Sequence, residues 1–210
     1  MAEPMMYGMQ LLDLIHDELQ KEEKRLKELT GNRPNIRSVR EYFEGWLCYM
    51  VFRASLSNPD FVVWVEVEKI DLQFRVPNGP APLATFEFSN PFGIKDARPD
   101  SGCRPSYLKK IVGDFKKQYS NCSRWPGCEH WVIMFPWGET DRIDSWLEKL
   151  KGRLDNDLPQ GKFELHEKPP MVLNDGHRNL FVVGARIEPR LQSGGADFDQ
   201  LPHPLSGILC

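Results

Sequence analysis

VVWVEVEKIDLQFRVPNGPAPLATFEFS, running from Val62 to Ser89, decides the fold of this chain. Its apolar residues alternate as strands require, but their parity changes partway. Phe61, Val63, Val65 and Val67 are odd-numbered, whereas Ile70, Leu72, Phe74 and Val76 are even-numbered. A flat continuous strand would send these two sets to opposite faces. A bulge or tight turn near Glu68 and Lys69 resolves the conflict, as would burial of both faces; two strands, or one strand with a bulge there, is the favoured reading. After the turn Pro77 to Pro82, the stretch Leu83 to Ser89 alternates again, with Ala84, Phe86 and Phe88 on one face and Thr85, Glu87 and Ser89 on the other. Directly opposed residues of a hairpin point to the same side. With both apolar sets on the core, Asp71, Gln73 and Arg75 share the remaining face with Thr85, Glu87 and Ser89, which brings Asp71 and Glu87 together.

Helices flank this hairpin. Met9 to Leu29 is expected to be amphipathic, with Leu12, Ile15, Leu19, Leu26 and Leu29 near three- and four-residue spacing and Gly31 and Pro34 ending it. It reads either as a helix laid across the domain or as a partner helix in a dimer. Ser38-Val39-Arg40-Glu41 reads as a capping box opening a second helix that runs to about Ser55, with Phe43, Trp46, Leu47, Met50, Val51 and Phe52 inward and Glu41 and Glu44 in its first turns. Beyond the polar loop Asn90 to Arg104, a third helix is expected over Ser106 to Tyr119, with Leu108, Ile111, Val112, Phe115 and Tyr119 as its stripe. It is the most basic segment of the chain. Trp131 to Phe135 is wholly apolar, as in a strand buried on both faces. A fourth helix places Ile143, Trp146, Leu147 and Leu150 inward, and strands follow near Lys162 to Glu167 and Asn179 to Ile187. The expected organisation is an N-terminal helix over 1–34, an α/β core with a mixed central sheet over 35–189, and a Gly/Pro/Asp-rich tail over 190–210.

At 210 residues, 40% hydrophobic and 27% charged, the chain has the composition of a globular domain. Its 27 basic and 30 acidic residues leave a net charge of −3, so no global attraction to nucleic acid or anionic membrane follows. No apolar run approaches membrane-spanning length, and the N-terminus lacks the pattern of a secretory signal. Five scattered cysteines (Cys48, Cys103, Cys122, Cys128 and Cys210) read as reduced thiols of a cytoplasmic protein.

The order of elements, with Asp71 in KIDLQF and Glu87 in TFEFS, resembles the PD-(D/E)XK, or restriction-endonuclease-like, superfamily. The resemblance covers roughly Ser38 to Phe135 and rests on short motifs. It implies a metal-dependent nuclease of nucleic-acid processing or defence, a DNA-binding hydrolase, with magnesium or manganese on Asp71 and Glu87. A helix glutamate, Glu41 or Glu44, would assist as a further ligand. Two carboxylates with nearby backbone carbonyls suit such a hard, octahedral ion, which polarises a phosphodiester and acidifies an attacking water. The family's lysine belongs two residues after the second acid, where this chain has Ser89. A neutral hydroxyl supplies no positive charge. Some families with this fold carry the lysine on the following helix, so Lys109 and Lys110 become catalytic candidates, with Lys95 in the loop as another.

The competing reading makes Asp71 and Glu87 a solvated sheet face with Arg75 as a salt-bridge partner, on a catalytically inactive protein-protein interaction module. That module would form a homodimer or hetero-complex through the N-terminal helix. Cys122, Cys128 and His130, with Cys103 behind them, could in principle hold zinc. The five-residue gap between Cys122 and Cys128 exceeds knuckle spacing, so free thiols are expected instead. His16, His166, His177 and His203 have no recognisable nucleophile context, and no glycine-rich phosphate loop or dinucleotide fingerprint is present.

Overall fold

The computed structural model describes residues 6–21, 36–56, 61–67, 69–89, 92–94, 105–158, 161–172 and 179–189, with the side chains of 36–42, 44, 54–55 and 105–107 outside that description. The chain is a mixed α/β protein in which, among the described residues, four helices flank a six-stranded mixed sheet. The elements are α1 (Tyr7–Lys21), α2 (Ile36–Ser55), β1 (Val62–Val67), β2 (Ile70–Arg75), β3 (Pro82–Phe88), β4 (Phe92–Gly93), α3 (Pro105–Arg124), β5 (Glu129–Met134), β6 (Pro136–Gly138), α4 (Thr140–Asp157), β7 (Gly161–Glu167), β8 (Met171–Val172), β9 (Asn179–Leu180) and β10 (Val183–Pro189). The main sheet has the order β1-β2-β3-β5-β10-β7, and β4-β6-β9-β8 form a small second sheet.

A tight turn resolves the parity conflict. Val63 pairs with Phe74, Val65 with Leu72 and Val67 with Ile70, so odd residues of β1 and even residues of β2 share one face. Lys69 takes the left-handed conformation (φ 66°) to make the turn, and Glu66 just before it has φ 52°. The β2–β3 ladder pairs Leu72 with Phe86, Gln73 with Thr85 and Phe74 with Ala84, through a turn in which Asn78 is left-handed (φ 61°). β3 and β5 pair in parallel; the other contacts in the main sheet are antiparallel. A parallel pair needs a crossover, which α3 supplies.

The apolar residues divide into two layers, as β5 requires. Trp131, Ile133 and Phe135 join Leu72, Phe74, Phe86 and Phe88 beneath α1 and α2. Val132 and Met134 join Ile111, Phe115, Ile143, Leu147 and Leu150 beneath α3 and α4. Leu12, Ile15 and Leu19 of α1 are fully buried in the first layer, so this helix lies across its own sheet; Leu26 and Leu29 fall outside the described residues. Glu129 ties α1 down. Its carboxylate accepts the N–H groups of Tyr7 (3.1 Å) and Gly8 (2.9 Å) at the positive end of the helix, and also the indole N–H of Trp131 (2.9 Å). Gly8 permits the approach, because a Cβ there would lie 1.8 Å from the Trp131 ring.

Two boundaries differ from the sequence reading. α2 begins at Ile36, which puts Ser38 inside its first turn rather than before it. α3 continues to Arg124, five residues past Tyr119, because Gln118, Asn121 and Cys122 are buried there. Among the described residues, no helix is long and apolar enough to cross a membrane.

Candidate functional site

The face of the hairpin opposite α1 and α2 is not solvated. Gln73, Thr85, Glu87 and Ser89 are all buried. This overturns the expectation of an open polar face, because α3 lies over it. Arg75 does not pair with either acid: its Nε donates to Gln73 Oε1 (2.8 Å), and its guanidinium stacks 4.4 Å from the Trp64 ring centre. Thr85 joins a buried network in which its hydroxyl lies 2.8 Å from Gln118 Oε1 and 2.8 Å from His130 Nδ1. Gln118 donates in turn to the Trp131 carbonyl (3.0 Å).

At the far end of the same face, one residue past Leu72↔Phe86 where the β2–β3 pairing ends, Asp71 and Glu87 lie close enough for the charge of Asp71 to act on Glu87. Asp71 Oδ2 accepts the Phe88 N–H at 2.7 Å, which fixes the carboxylate beside the end of β3. The lysine ammonium beside Glu87 comes from a position that the sequence reading did not single out. Lys117 Nζ lies 2.6 Å from the Glu87 carboxylate. Lys110 Nζ, one of the lysines picked from sequence, donates to the Phe88 carbonyl (3.2 Å). Lys109 is exposed on the neighbouring surface of α3. Lys110, Asp114 and Lys117 are spaced by four and three residues, which places them on one face of the helix. That spacing, rather than any motif, is the signal that could have found Lys117.

Electrostatics pull Glu87 in opposing directions. Burial is the largest influence and, with the negative charges of Asp71 and Asp114, raises its carboxyl pKa; Lys117 opposes them and falls short, leaving the value pushed up to about 8. Glu87 is 2% exposed, whereas Lys117 reaches solvent with about a third of its side chain. The site therefore consists of Asp71, Glu87 and Asp114, the Phe88 carbonyl and two ammonium groups gathered where β3 ends.

Ser89 has a structural task. Its N–H donates to the Ile133 carbonyl (2.9 Å), and its hydroxyl accepts the Phe135 N–H (3.3 Å), closing the seam between β3 and β5. Glu41 and Glu44 lie on α2, but their side chains fall outside the described residues, as does all of Lys95. Among the described residues, no group of three or more His, Cys, Asp or Glu side chains is arranged to hold a metal ion. The cysteine cluster is committed elsewhere. Cys122 Sγ donates to the Gln118 carbonyl (3.5 Å) and Cys128 Sγ to that of Glu129 (3.3 Å), while His130 Nε2 lies 3.3 Å from the Trp125 carbonyl. Burial pushes the thiols of Cys122 and Cys128 up to about 11 and about 12. Cys103 lies outside the described residues.

Compared with protein-family models, the chain matches none, and its sequence matches none of the curated proteins.

Proposed function

We propose that this chain is a PD-(D/E)XK-like protein of nucleic-acid processing or defence, with a restriction-endonuclease-like core and a metal-dependent phosphodiesterase site at Asp71 and Glu87. One observation carries the reading: Lys117, on the helix after the hairpin, puts its ammonium 2.6 Å from Glu87, whose carboxyl also feels the charge of Asp71. The charge absent at Ser89 is thus supplied from α3. Two carboxylates and the Phe88 carbonyl are oxygen donors of the kind magnesium and manganese prefer. Such an ion, when bound, would polarise a phosphodiester and acidify an attacking water. Lys117 would then serve the negative charge that develops on the phosphate, a role for which its partly exposed position fits it. Lys110 holds the Phe88 carbonyl in place. Metal binding needs the ionised form of Glu87, so affinity rises with pH up to about 8. The free thiols Cys48, Cys122 and Cys128 suit a cytoplasmic setting.

Manganese calorimetry tests the site, comparing wild type with Asp71→Ala/Glu87→Ala. Binding lost in the double variant, together with cleavage of single- or double-stranded DNA or RNA that Asp71→Ala and Lys117→Met abolish, supports the proposal. A folded wild type that binds no manganese rejects it.

The alternative, a catalytically inactive interaction module on the same scaffold, is favoured by a different feature. β1 is an edge strand that exposes Val62, Trp64 and Val65, and an unpaired apolar edge invites strand pairing. α1, by contrast, turns Leu12, Ile15 and Leu19 into the core. Sedimentation of wild type against Trp64→Lys tests this reading; a wild-type monomer at micromolar concentration opposes self-association.

A further inference from the structure

A cavity of about 440 Å³ opens at the end of the sheet opposite Glu87, where β3 begins and α3 gives way to β5. Leu83, Trp125, Pro126 and Tyr7 contribute apolar and aromatic surface to walls of mixed polarity, and Arg124 brings a cation. The guanidinium of Arg124 lies 4.2 Å from the centre of the Trp125 ring. The acid in the wall is Glu129, whose oxygens are already occupied by three N–H donors, those of Tyr7, Gly8 and Trp131. Its charge is held against the N-terminus of α1, which weakens its repulsion of an anion in the cavity. The size falls in the range of small-ligand sites. A stacked Trp–Arg pair beside walls of mixed polarity suits a planar ring that carries a negatively charged group.

We infer that this cavity is a nucleotide subsite, in which a base stacks on the Trp125–Arg124 pair and its phosphate meets Arg124. The inference rests on the nucleic-acid reading above and adds to it a place for substrate away from the two acids. Position relates the two places. Arg124 is seven residues beyond Lys117, on the same helix face and about 10 Å farther along the axis. That separation corresponds to about three nucleotides of a strand. The phosphodiester at Glu87 would be the one severed, and the nucleotide in the cavity would fix the register of the strand.

The experiment is calorimetric titration of the full chain with oligothymidylate and, separately, with thymidine monophosphate, both in EDTA. Working without metal keeps the result independent of Asp71 and Glu87, so failure here leaves the cleavage proposal to its own test. Loss of one base stack weakens binding by about 5- to 150-fold, which is the expectation for Trp125→Ala. Trp125→Phe keeps a ring and should recover most of the affinity, which separates stacking from damage to the fold. Arg124→Gln should weaken binding and flatten its dependence on salt. Tighter binding of the oligonucleotide than of the monophosphate identifies a strand as the source, and equal binding identifies a free nucleotide. Absence of binding to wild type, or equal affinity in wild type and Trp125→Ala, overturns the inference.

Discussion

Replacing Glu87 with glutamine sets burial against the Lys117 ion pair in one measurement. The carboxyl pKa rises from an ordinary 4.5 to about 8 on folding. Between those values the folded chain holds a proton that the unfolded chain has released, so stability declines as pH rises. The contribution is fully present below pH 4.5 and is lost as pH passes through about 8. At about 1.4 kcal/mol per unit, the full shift has a ceiling of about 5 kcal/mol. Solvent access at Lys117 screens the site, so a realistic range is roughly 2–5 kcal/mol. Glutamine mimics the protonated form and still offers Lys117 an oxygen. Urea unfolding of wild type and Glu87→Gln should therefore give similar stabilities near pH 5. By pH 9 the variant should be more stable by roughly 2–5 kcal/mol. A difference that does not change with pH, or a wild type that gains on the variant as pH rises, would refute the reasoning. Either outcome would mean that the ion pair at least offsets burial and that Glu87 is ionised throughout.

Three other substitutions probe the scaffold. Gly8→Ala should destabilise by about 2 kcal/mol or more, since its Cβ would overlap the Trp131 ring; an unchanged urea midpoint would show that α1 is free to shift. Glu129→Ala strands three N–H groups and should cost roughly 3 kcal/mol, with a loss below about 0.5 kcal/mol counting against the clamp. Ser89→Lys, which restores the family's pattern, should lower stability by about 1–3 kcal/mol and give no gain in cleavage, because that position closes the β3–β5 seam; a faster nuclease would show the reverse.

The sheet was the more legible part of this chain. Parity along Phe61 to Val76 located the β1–β2 turn, because strand period is a local property. The apolar run at Trp131 foretold a central strand, and the alternation put Asp71 near Glu87, whose carboxyl its charge reaches. The end of α3 was not legible. Gln118 and Asn121 look like surface residues and are buried only because Thr85 and the Trp131 carbonyl wait beneath them. Lys117 escaped for the same reason: its partner is 30 residues away, and helical spacing acquires meaning only once the helix is laid over the hairpin. Position 89 misled differently, since the absence of a lysine drew attention to charge while the serine was joining two strands.

The clamp on α1 also bears on the birth of the protein. Tyr7 leaves the ribosome 122 residues ahead of Glu129, and Pro169, whose carbonyl meets the His16 ring, is 153 residues beyond His16. At typical elongation rates, the 153 residues to Pro169 leave Leu12, Ile15 and Leu19 without their final partners for at least about 8–31 s. Protease treatment of ribosome-bound chains arrested before and after β10 would show when α1 becomes protected; early protection would contradict this order. α1 is made before the sheet it packs on and is among the last of these elements to settle, and its oily stripe is a surface that a waiting chaperone would meet before the sheet does.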